Sequence, residues 1–222
     1  MKVITRRKSR DEILSMLEDY ARIIIVGCGT CPTVCRTGGL PETQDMEAAL
    51  AAAGKLVTGR VVVNAACDAS RALFISQAGQ SLEDAQAIVV MACGLGVQSM
   101  ARFDLRPVVP ALDSMFFGIE TGPGAFEEIC SQCGACILGF TGGICPVTSC
   151  HKGLLNGPCG GTNEGMCEVG NGRPCAWTLI YERLEKAGRL DLMKRYQPPA
   201  GRTGRLQPGM WKLTGGKEGS TS

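Results

Sequence analysis

The chain reads as an α/β protein: an N-terminal Rossmann-like parallel sheet with helices, then a Cys/Gly-rich cluster-binding segment and short C-terminal helices. Three observations predict this. Short β-branched runs alternate with helical periodicity through the first half, the pattern of a parallel sheet with right-handed crossovers. Beyond residue 122 that periodicity is lost, and glycine, cysteine, proline and asparagine take over. Thirteen cysteines stand among 222 residues, many only two or three residues apart, and such a segment needs a substitute for a conventional core. The expected domains are 1–121, 122–196 and an extended or disordered tail, 197–222.

Ser9 followed by Glu12 is a capping-box pair, and Ile13, Leu14, Leu17, Tyr20 and Ala21 recur at helical spacing, predicting an amphipathic first helix. Ile23–Val26 is a continuous apolar run, as in a strand buried on both faces. It ends at Gly27-Cys28-Gly29. A helix is predicted over Thr43–Ala53 with Gly54 as its stop. Further strands are predicted at Val61–Val63, Ile88–Met91 and Val108–Val109, with a helix near Ala69–Gln77. Trp177, Ile180, Leu184 and Leu192 predict one or two short helices around Gly188. No internal repeat is present.

Hydrophobic residues at 45% and charged residues at 20% are ordinary for a globular protein. The net charge of +2 gives no reason to expect nucleic acid as a partner. Met1–Arg10 is basic but lacks the apolar core of a signal peptide, and no apolar stretch is long enough to insert in a membrane. The expected location is cytoplasmic, where thiols stay reduced. An odd number of cysteines in that setting argues against a disulfide framework.

Cys130, Cys133 and Cys136 form C-x2-C-x2-C, and Cys28, Cys31 and Cys35 form C-x2-C-x3-C. Two such triplets beside a single histidine point to iron–sulfur clusters, because a cuboidal cluster offers several iron corners that one short loop can wrap. Cys28, Cys67 and Cys93 each fall just past a predicted strand's carboxyl end, where open α/β sheets place their sites. Cys31 and Cys35 follow in the next loop, so all five can converge on one rim. The alternative for Cys67 and Cys93 is that they are small buried hydrophobes.

In the second half, the triplet followed by Cys145-Pro146 resembles the bacterial ferredoxin run, whose cysteine before proline binds the other cluster. By that logic Cys130, Cys133 and Cys136 share a cluster with Cys175, while Cys145, Cys150, Cys159 and Cys167 hold a second. Zinc at one or both sites gives the same folding benefit without redox activity. His151 adjoins Cys150 and reads as a hydrogen-bonding or exposed side chain rather than a ligand. Gly27-Cys28-Gly29 and Gly94-Leu95-Gly96 both fail as dinucleotide fingerprints, the first because position 32 is proline. With no evident nucleophile–base pair, no catalytic residue is assigned.

Gly27-Cys28-Gly29-Thr30-Cys31-x3-Cys35-x2-Gly38-Gly39, Gly142-Gly143-Ile144-Cys145-Pro146, Leu154-Leu155-Asn156-Gly157-Pro158-Cys159-Gly160-Gly161 and Gly165-Met166-Cys167-Glu168 together resemble the methylenetetrahydrofolate reductase C-terminal domain family. That family forms the small subunit of two-subunit reductases in acetogenic and related anaerobic bacteria. The resemblance runs to about Arg195. It implies an FMN-containing TIM-barrel partner, two to three [4Fe-4S] clusters and, in some descriptions, zinc. It also implies an electron donor such as ferredoxin or a further redox subunit. Other readings are a zinc-stabilised interaction subunit, or a cluster-bearing adaptor of another flavoenzyme or of a heterodisulfide-reductase-like assembly.

Overall fold

The computed structural model describes residues 2–198. Of the tail expected at 197–222 only Gln197 and Pro198 fall within them; the rest lies outside the described residues. The chain divides into two units, Met1–Ile129 and Cys130–Ser222, each taken by itself.

The N-terminal unit runs β1 (Lys2–Arg7), α1 (Arg10–Met16), β2 (Arg22–Cys28), α2 (Cys31–Val34), α3 (Leu40–Ala52) and β3 (Leu56–Val63). It continues with α4 (Arg71–Glu83), β4 (Ala87–Met91), α5 (Gly94–Ala101), β5 (Val108–Pro110), β6 (Leu112–Gly122) and β7 (Ala125–Glu128). Four parallel strands form a sheet in the order β3-β2-β4-β5. The α/β class is therefore as expected.

Ile23–Val26 is fully buried, and its alternate side chains serve opposite faces. Ile24, Val26, Ile88 and Val90 pack with Phe74, Leu82 and Met100 from α4 and α5. Ile23, Ile25, Val89 and Met91 pack with Ile13 of α1 and with Met46 and Leu50 of α3. Burying each large aliphatic side chain contributes about 1.5–3 kcal/mol.

This two-sided covering fixes the important point of topology. The crossover from β2 to β3 runs through α3 on one face, and that from β4 to β5 runs through α5 on the other. Between the adjacent strands β2 and β4 the winding reverses, so their carboxyl ends flank a topological switch point.

The second sheet, β1-β6-β7, is antiparallel, and the sequence reading gave it no strands. Lys2–Arg7 reads as a basic stretch, yet Val3, Ile4 and Thr5 are buried between charged ends. β6 hides its pattern because few of its side chains are buried. Its register with β1 also slips between Ile4 and Thr5. Helix α5 was masked by two glycines; Gly96 is there because a Cβ would lie 2.8 Å from those of Ala66 and Ala92. Helix α1 stops at Met16 instead of reaching Ala21. Leu17 stays fully buried and Tyr20 still packs on that core, joined by a turn in which Tyr20 N–H donates to Leu17 O at 3.0 Å.

The C-terminal unit contains α6 (Pro146–Ser149), a small hairpin of β8 (Thr162–Asn163) and β9 (Met166–Cys167), and α7 (Ala176–Lys186). Glu164 and Gly165 link the hairpin with φ of 48° and 79°, the left-handed pair of a two-residue turn. Trp177, Ile180 and Leu184 of α7 form its apolar centre with Leu190, Leu192 and Met193 against them. A short 3-10 helix, Leu190–Lys194, follows α7 after Gly188, as the sequence predicted. Gln197 is held by Asn156, whose Oδ1 accepts its N–H at 2.7 Å and whose Nδ2 donates to its carbonyl at 2.9 Å. Among the described residues no helix is long and apolar enough to cross a membrane.

Candidate metal centres

All thirteen cysteines lie within the described residues, and none is in a disulfide. In the N-terminal unit, Cys28 is the last residue of β2 and Cys93 caps α5 two residues beyond β4. Cys67 sits in the turn after β3, on the other side of β2. Ala66 N–H donates to Cys28 Sγ at 3.5 Å, so the Cys67 turn lies against the Cys28 sulfur.

The loop from Cys28 to Gly38 folds back on the switch point. Cys28 N–H donates to Gly38 O at 2.9 Å, and Gly29 N–H donates to Val63 O at 2.8 Å. Only glycine is tolerated at position 38, since a Cβ there would stand 2.1 Å from the Met91 carbonyl oxygen. Thr33 Oγ1 donates to Cys28 O at 2.8 Å, bracing the one-turn helix that opens at Cys31. A buried hydrogen bond of 2.6 Å between Thr5 and Thr37 ties the same loop to β1.

Three other N-terminal cysteines bear on Cys67. Partial burial raises the Cys67 thiol above its usual range, and the charges of Cys93, Cys28 and Cys31 add to the effect. Cys35 is placed differently. Its Sγ is directed at Val3 O in β1, 3.9 Å away.

In the C-terminal unit, the Cys130–Cys136 triplet occupies irregular backbone. Gln132 N–H donates to Cys130 Sγ at 3.4 Å, and Gly161 N–H donates to Cys159 Sγ at 3.3 Å, the same two-residue spacing in both loops. Cys145 and Cys150 bracket α6. Cys150 and Cys175 both pack against the Trp177 cluster.

Cys175 caps α7 and is bound to the hairpin, its N–H donating to Gly165 O at 2.8 Å. Burial pushes its thiol up, but hydrogen bonds from Thr178, Trp177 and Thr162 outweigh that and leave it below the usual thiol range. Hydrogen bonds of this kind favour the thiolate. The position of Cys175 beside the Cys167 hairpin was not foreseen from spacing alone.

Sequence reasoning also missed Lys152 and Glu168. Their side chains form an ion pair, and Lys152 also reaches the Cys159 sulfur; these contacts raise its pKa, the Glu168 hydrogen bond most. The Glu168 carboxylate occupies the space a side chain at Gly161 would need. The signal was faint: a basic residue two after one cysteine and an acidic residue one after another. His151 Cε1 and Cys167 Sγ each lie 3.4 Å from where a Cβ on Gly170 would stand.

Among the described residues, no three His, Cys, Asp or Glu side chains are gathered closely enough to hold a metal ion. Four thiolates on one zinc would stand roughly 3.8 Å apart, given zinc–sulfur bonds of about 2.3 Å. A cuboidal cluster carries its ligands on corners further apart. The residues fit such a group in one respect: backbone N–H groups already donate to the sulfurs of Cys28, Cys130 and Cys159.

The fold and the thiols define a class of protein, a doubly wound α/β unit followed by a cysteine-rich module held by a small helical core. Residues 109–203 match the family model described as methylene-tetrahydrofolate reductase C terminal. The match relates this segment, somewhat under half the chain, to methylenetetrahydrofolate reductase and through it to an oxidoreductase. No curated protein matches the chain, and no solved structure does.

Proposed function

We propose that this chain is the electron-transfer subunit of a methylenetetrahydrofolate reductase. In this reading it relays electrons through [4Fe-4S] clusters from a carrier such as ferredoxin, or a further redox subunit, to the FMN of a TIM-barrel partner. That partner reduces methylenetetrahydrofolate to methyltetrahydrofolate. The observation that carries the reading is a coincidence: the matched segment, 109–203, contains eight cysteines from Cys130 to Cys175.

A bound cluster supplies storage of single electrons. The remaining work belongs to residues of this chain. Cys130, Cys133 and Cys136 with Cys175, and Cys145, Cys150, Cys159 and Cys167, are the thiolates assigned to hold two clusters. The N–H groups of Gln132 and Gly161 donate to ligand sulfurs and so favour their charged form. Lys152 places a positive charge beside Cys159. Catalysis on the folate is assigned to the partner.

The test is the Cys133→Ala variant of the full chain prepared without oxygen. Iron and acid-labile sulfide should each fall by about four per chain, with loss of part of the visible absorption that bleaches on reduction. Unchanged iron and absorption would remove the triplet from the assignment.

A further inference from the structure

We propose that the outer edge of β3 is a docking surface for a second copy of this chain. Two β3 strands pair antiparallel about a two-fold axis at Val61 and join two four-stranded sheets into one. The inference goes beyond the electron-relay reading and does not rest on it.

The backbone argues first. β3 stands at the end of the parallel sheet, with β2 on one side and no strand on the other among the described residues. Val63 O accepts the Gly29 N–H at 2.8 Å, so the main chain of Val63 is turned toward β2. These groups alternate in direction along a strand, hence Val61 is also turned toward β2. The N–H and C=O of Arg60 and Val62 are turned away from it. Each needs a partner, and an added strand supplies them together.

The absence of a guard argues second. Exposed strand edges are commonly blunted by charge, proline or shortness, and the other strands at sheet edges follow that rule. β5 has three residues, follows Pro107 and ends in Pro110. β7 is short and carries Glu127 and Glu128, while β1 carries Lys2, Arg6 and Arg7. β3 has eight residues and no proline, and its cations are drawn inward. Lys55 Nζ, just before the strand, donates to Leu17 O at 2.6 Å, and Arg60 Nε lies 3.0 Å from Glu47 of α3. One guard remains, a bulge at Thr58, and it leaves Gly59 to Val63 in regular register.

The helices beside the edge argue third. Glu47 meets Arg60, so that flank of α3 faces the edge. Leu40 and Ala51 share the flank by helical spacing and are exposed, Leu40 by 55%. On α4, Arg71 Nε donates to Phe103 O at 2.9 Å, just beyond α5. Leu73 lies about 200° round the helix from Arg71, on the β3 side, and is 50% exposed. Apolar side chains thus stand in solvent on both faces of the edge, where an added sheet would cover them.

The edge is also complementary to itself. With the axis at Val61, Arg60 of each copy stands opposite Val62 of the other, and the pair exchanges both N–H···O bonds. No like charges meet, because each Arg60 is paired with its own Glu47. A two-fold contact of this kind closes on itself and ends at a dimer.

The experiment follows sedimentation of anoxically prepared full-length chain over a range of concentrations, beside Val62→Pro and Leu73→Glu. Val62→Pro removes an N–H turned away from its own sheet, a change that edge strands tolerate. Leu73→Glu puts a charge at an exposed site. The parent should run at twice the chain mass, and each variant should raise the dissociation constant about tenfold or more with unchanged circular dichroism. Should Val62→Pro fail to fold, Leu73→Glu and amide exchange in the parent carry the test. The Arg60 and Val62 amides should exchange slowly in the dimer and quickly on dilution. The proposal is overturned if the parent runs at the single-chain mass throughout or if either folded variant associates like the parent. It is equally overturned if those amides gain protection only from a different protein.

Discussion

In the N-terminal unit a strand such as Ile23–Val26 is sealed on both faces by helices, and of the cysteines at its strand ends Cys28 is itself part of that core. In the C-terminal unit the large buried apolar side chains are Trp177, Ile180 and Leu184, and Cys150 and Cys175 pack directly on them. The first arrangement owes its stability to area removed from water. The second has a smaller apolar centre among its described residues, and on the proposed reading cluster binding would supply part of its folding free energy.

Metal removal should expose that difference most strongly. In chelator-treated, metal-free chain, amide exchange should accelerate by orders of magnitude across the hairpin of β8 and β9 and the start of α7, while β2 and β4 keep their protection. Equal protection in both units would show that the C-terminal unit stands without its ligands. The reverse perturbation is smaller. Ile25→Ala, which opens a cavity in the doubly covered sheet, should cost about 2–5 kcal/mol in unfolding of the N-terminal unit. It should leave the iron bound by the Cys130–Cys175 segment unchanged. Loss of that iron would show that the two ends are coupled in a way their separate cores do not require.

How far all this could be read in advance differs between the units for the same physical reason. The parallel strands were legible because continuous β-branched runs have few fates other than a strand covered on both faces. Cys28 and Cys93 were placed correctly at strand ends because those runs have sharp limits. The β1-β6-β7 sheet was not legible, since Lys2–Arg7 hides a three-residue apolar centre among cations and β6 is mostly unburied. The turning of Cys35 toward β1 followed from that omission, because its neighbour Val3 belongs to a strand the pattern did not reveal. In the C-terminal unit the spacing of cysteines was plain. What spacing lacks is the path of the backbone between them, which put Cys175 beside the Cys167 hairpin.

The smallest effect expected concerns the thiols of metal-free chain. Cys175, held below the usual thiol range by its hydrogen bonds, should become thiolate at lower pH than Cys67, whose burial and neighbouring thiols push it up. Alkylation with iodoacetamide, followed peptide by peptide from mildly acidic to alkaline pH, should therefore modify Cys175 first. The opposite order would mean that the amides around α7 do not act on the sulfur as described.

The account depends most on inorganic sulfide being present. Acid-labile sulfide measured on anoxically prepared full-length chain, beside its Cys133→Ala variant, is the direct assay. Sulfide should equal iron in both, and the variant should hold about four fewer of each per chain. A preparation with zinc and no sulfide would contradict the account, leaving a chain that shapes its partner without carrying charge to it.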